Sequence, residues 1–103
     1  LRWQLPDAPD RRFYAARDFE YQWFVHVLDA SGERRAQRDA QFWLGRHWCV
    51  GDTLITWVDV DTTASDTLRV GLYRLPETPD GAIRPVDVLD SQGNASGQWL
   101  DFD

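Results

Sequence analysis

Two histidines, His26 and His47, and the single cysteine, Cys49, carry the only nitrogen and sulfur side chains suited to holding a transition metal. Zinc sites use regular pairs such as C-x2-C or H-x3-H. Neither spacing occurs here, so no metal site is assigned. His26 is instead expected to donate to a backbone or carboxylate partner and hold two strands in register. Oxygen ligands are more abundant. Asp59, Asp61 and Asp66, with Asp52 nearby, form a weak calcium candidate. The stretch Asp59-Val-Asp61-Thr-Thr-Ala-Ser-Asp66 lacks the Gly and the terminal Glu of an EF-hand loop, and Asp at strand ends commonly caps turns.

Paired carboxylates can hydrolyse glycosidic bonds when their separation is fixed. Fourteen Asp in this chain make chance pairs inevitable, and nothing in their spacing sets a distance. There is no G-x-S-x-G, and Cys49 has no partner that the spacing places beside it. The glycines of Gly93-Asn-Ala-Ser-Gly97 form no P-loop. The chain therefore reads as non-catalytic and without a cofactor.

Six tryptophans are the more suggestive feature. Trp3, Trp23 and Trp99 fall at apolar positions of strand-like segments and read as core. Trp43, Trp48 and Trp57 lie in or next to a long aromatic loop. Such rings either plug the end of a core or, if exposed beside Asp and Arg, stack on sugars. They are the candidate ligand-binding residues.

The elements that must position these residues are extended. Phe19–Leu28 (FEYQWFVHVL) alternates aromatic and β-branched residues with a period of two and reads as the central strand. Asp29–Gly32 is a turn, and the polar Glu33–Asp39 is the return strand of a hairpin. Leu1–Leu5 is a short first strand, broken by Pro6, Pro9 and the charges that follow. Phe13–Arg17 is either one helical turn or an irregular crossover. Ala40–Asp52 is the long loop, expected to fold back over the end of the core. Thr53–Val60 and Asp66–Leu75 are further strands. The first is buried on one face with Trp57 partly covered on the other. The second turns Leu68, Val70 and Leu72 inward, with Gly71 marking a bulge or a close backbone approach. Ile83–Leu89 is an edge strand interrupted by Pro85, Asp90–Gly97 a flexible loop, and Gln98–Phe102 the last strand. About seven short strands separated by turns indicate an all-β fold. The expectation is an antiparallel two-sheet β-sandwich, immunoglobulin-like, forming a single domain over residues 1–103.

Composition narrows the partners. The net charge is −6 and every basic residue is Arg. Phosphate binding needs a basic face, so nucleic acid is excluded. Arg34, Arg35 and Arg38 cluster, but Glu33 and Asp39 flank them, which suits a solvated strand edge. The chain has no Met and begins at Leu1, so it is expected to be a piece of a longer polypeptide.

Several segments carry a resemblance. Phe24–Asp39 (FVHVLDASGERRAQRD), Trp48 followed by Gly51-Asp52, and Val70–Tyr73 (VGLY) occur in that order. Together they resemble the β-sandwich domain that follows the membrane part of bacterial polytopic proteins similar to dolichyl-phosphate-mannose-dependent mannosyltransferases. The likeness runs from Tyr21 to Tyr73. It departs at Gln41–Val50, where a Pro-rich stretch is usual, and at the shortened hairpin before VGLY. The resemblance implies an extracytoplasmic domain tethered through a parent membrane protein. It brings no catalytic motif, because the sugar-transfer chemistry of such proteins is expected in their membrane part. The expected function is thus a non-catalytic accessory or interaction domain of a membrane protein resembling a glycosyltransferase. The alternatives are a carbohydrate-binding module using the loop tryptophans and an adhesion or assembly module using an edge strand. The partners would be the remainder of the parent protein, a glycan or another protein.

Overall fold

A computed structural model of the chain describes residues 1–5, 7 and 11–103. The break expected at Pro6 and Pro9 lies outside the described residues. Nine strands are present among those described, rather than about seven. They are β1 (Arg2–Gln4), β2 (Tyr21–Leu28), β3 (Arg34–Gln41), β4 (Thr53–Ile55), β5 (Thr67–Arg74), β6 (Arg84–Pro85), β7 (Val88–Leu89), β8 (Ala95–Gly97) and β9 (Leu100–Phe102). A short helix, α1 (Arg11–Ala16), occupies the segment left open between helix and crossover, and a 3-10 turn spans Gly45–His47.

The main antiparallel sheet runs β3-β2-β5-β6, with β9 also paired to β5. The β2 strand is its centre, in register with Gln41–Arg34 on one side and Arg74–Thr67 on the other. Its period-two pattern explains this place. Tyr21, Trp23, Val25 and Val27 are buried on one face, while Gln22, Phe24 and His26 are half-buried on the other. Burying Val25 and Val27 stabilises the fold by about 1.5–3 kcal/mol each relative to exposure. The second layer is the β1–β4 pair and the extended chain that follows it. From Leu54 to Val60 the residues still alternate between half-buried and exposed, although the ladder ends at Ile55. Trp3, Leu5, Leu54, Val58 and Val60 pack onto Tyr21, Trp23, Val25 and Val70 of the main sheet. The result is the expected two-layer antiparallel sandwich.

Two elements differ from expectation. Ile83–Leu89 is not one strand. It divides into β6, which pairs with β5, and β7, which pairs with β8 as a separate hairpin. The Asp90–Gly97 segment is not a flexible loop but the turn and return strand of that hairpin. The Asp90 carboxylate accepts the N–H groups of Gln92 and Asn94, and Gly93 has φ +83°. The β2–β3 turn is built the same way. Asp29 accepts from Ser31 and Glu33, and Gly32 has φ +85°.

Candidate functional site

The three loop-associated tryptophans do not share one surface. Trp48 is 6% exposed, stacked on Tyr21 at 5.0 Å and set edge-on to Phe42 at 6.2 Å. With Phe42 it forms the plug over the end of the core. Its indole N–H donates to the backbone carbonyl of Trp43 at 2.9 Å, which holds the Trp43 backbone in place. Gly45 makes this fold-back possible: a Cβ there would lie 2.8 Å from the Phe19 carbonyl oxygen. Trp43 itself is half-exposed, with His47 at 5.7 Å. Trp57, expected to be partly covered, is 82% exposed because it falls on the outward side of the second layer, with Thr53 and Ile55. Trp99, read as core, is also exposed. Its strand register puts Leu100 and Phe102 on the side of Val70 and Leu68, at the open margin of the sandwich where both stay exposed, and sends Trp99 to the opposite face beside Arg69.

The acidic candidates do not gather either. Asp66 is buried, and its carboxylate accepts from the Thr63 N–H and from the Arg35 guanidinium. These two donors hold it below the usual carboxylate range, the Thr63 N–H most strongly. Asp59 and Asp61 are exposed. Among the described residues no group of three His, Cys, Asp or Glu side chains is placed to hold a metal ion. His26, His47 and Cys49 lie apart, on a strand face and in the plug loop respectively.

His26 also departs from expectation. Among the described residues its imidazole makes no hydrogen bond, and it rests instead against the Phe24 ring at 4.5 Å. Burial, reinforced by Arg34, pushes its pKa below the ordinary value. These two residues belong to the outer face of the main sheet, away from the sandwich interior. Phe24 lies over Gly71, where a Cβ would come within 2.4 Å of the ring. This is the close approach signalled by a glycine inside a strand. Tyr73 follows, with its ring 6.2 Å from that of Phe24. The Tyr73 hydroxyl donates to Asp39 at 2.9 Å and also touches the Gln22 amide. Burial, with Asp39 beside it, pushes the Tyr73 hydroxyl up to about 12. At the other end of the face Arg69 forms a two-pronged pair with Asp101 at 2.8 and 2.9 Å. Its guanidinium lies 4.5 Å from the Trp99 ring centre. This face was not read as a site from the sequence. The signal was present in the alternation itself: Gln22, Phe24 and His26 share one side of β2.

A concave feature lies between the layers. Leu1, Trp23, Val25, Trp57, Val58, Val60, Leu68, Val70 and Phe102 line an open apolar groove of about 270 Å³. Among the described residues no helix is long and apolar enough to cross a membrane. No protein-family model matches the chain, and neither a curated protein nor a solved structure matches it significantly.

Proposed function

We propose that this chain is a non-catalytic interaction domain, held outside the cytoplasm by a membrane protein that resembles the lipid-linked sugar transferases. The observation that carries the interaction reading is the open groove. Leu1, Trp57 and Phe102 are exposed around it, Trp57 to 82%. Grouped exposed apolar side chains mark contact surfaces, whereas scattered ones do not. The membrane assignment draws its support from the FVHVLDASGERRAQRD and VGLY segments. A photo-crosslinking residue placed at Trp57 in the full-length gene product tests both parts. Crosslinks should form within the same polypeptide, which should carry apolar segments of about 20 residues each. A reading frame without such segments overturns the membrane assignment.

Carbohydrate binding is the second reading. It is favoured by flat aromatic surface left open to solvent at Trp43, Trp57 and Trp99. Tryptophan fluorescence titrated with soluble oligosaccharides tests it, and an unchanged spectrum would remove it.

A further inference from the structure

The outer face of the main sheet has the chemistry of a sugar-binding surface. A pyranose ring presents flat C–H faces and a rim of hydroxyls, so it needs a level aromatic contact bordered by fixed polar groups. Each requirement has a residue here. Gly71 lets the Phe24 ring lie down against the sheet, at a position where any Cβ would meet it. The His26 and Tyr73 rings flank it, each inclined by 31° to it. Trp99 is 47% exposed and is steadied by the Arg69 guanidinium beside its ring.

The polar rim is already positioned. Asp39 is fixed by Tyr73, and Asp101 by Arg69. Carboxylates held in this way accept from hydroxyls without further loss of side-chain freedom. Among the described residues the two imidazole nitrogens of His26 have no hydrogen-bond partner, and in the neutral ring one is a donor while the other accepts. Other ligand classes fit less well. A phosphate-bearing partner would meet the Asp39 carboxylate, and the Arg69 guanidinium on this face is already paired with Asp101; an apolar peptide would desolvate that pair without replacing its water.

We propose that this face, built on Phe24, His26, Tyr73 and Trp99 and bordered by Asp39 and Asp101, binds a neutral oligosaccharide. The proposal rests on the carbohydrate reading above but moves the site from the loop tryptophans to the sheet. Isothermal titration of the 103-residue chain with mannohexaose, cellohexaose and xylohexaose tests it. At least one should bind, and Trp99→Ala should weaken that binding about tenfold, the loss of one good ring contact. Asp39→Asn, an exposed change that keeps side-chain shape, should weaken it as well. Trp43→Ala and Trp57→Ala should leave it unchanged. Binding that survives Trp99→Ala and Asp39→Asn but is lost in Trp43→Ala would overturn the assignment to this face while keeping the carbohydrate reading. Failure of all three sugars to bind would remove both.

Discussion

Gly71 shows how one residue ties backbone to surface. Its missing side chain is the seat of the Phe24 ring, so Gly71→Ala forces the ring or the strand to move. Overpacking of this kind costs about 1–3 kcal/mol, and urea unfolding should show a loss of that size. Tyr73 offers a spectroscopic check on the same face. Its phenol should titrate near 12, and Asp39→Asn should bring it partway back toward 10, since burial is the larger cause. Acid should act in two stages. His26 has a lowered folded pKa, so its contribution is complete above its ordinary 6.5 and is lost as pH falls through the folded value. Asp29, Asp66 and Asp101 are also lowered, so theirs is present above 3.8 and is lost further into acid. Urea midpoints across pH should therefore drop twice, and His26→Gln should remove the first drop.

Among the elements, the two Asp-x-x-Gly-x turns make the clearest pair. In both, the aspartate carboxylate takes two backbone N–H groups, and the glycine occupies left-handed backbone. No atom of the described residues crowds either glycine, so Gly32→Ala and Gly93→Ala should cost about 1 kcal/mol each, from conformation alone. A neutral Gly93→Ala in thermal unfolding would mean that the β7–β8 hairpin is not a fixed part of the fold. The first turn was legible because strongly alternating strands flank it. The second has the same residue logic, yet its strands are only two and three residues long, too short for any period to register. Pro85 was informative in a narrower way. Lacking a donor, it sits in β6 at the sheet edge, and the chain beyond it leaves for another sheet.

At the scale of the molecule, burial separates tryptophans that look alike in the chain. Trp48→Ala empties the plug beneath the long loop and should cost about 3–5 kcal/mol. Trp57→Ala should change stability by less than about 0.5 kcal/mol, because the ring is almost wholly in water. Thermal unfolding of the two variants checks the contrast. Period two along β2 and β5 was enough to establish extended strands, their inward faces and a sandwich, since side chains alternate across any strand regardless of its neighbours. It also marked Gly71 as a bulge or a close backbone approach, of which the structure shows the second. Which tryptophans are covered, and which side chains meet on the outer face, depended on strand register and on which side of the second layer turns outward. Trp99 lies outside because Leu100 is paired with Val70, and Trp57 lies outside because it shares the outward side of the second layer with Thr53 and Ile55. Those facts are set by contacts between residues distant in the chain, and local spacing carries no record of them.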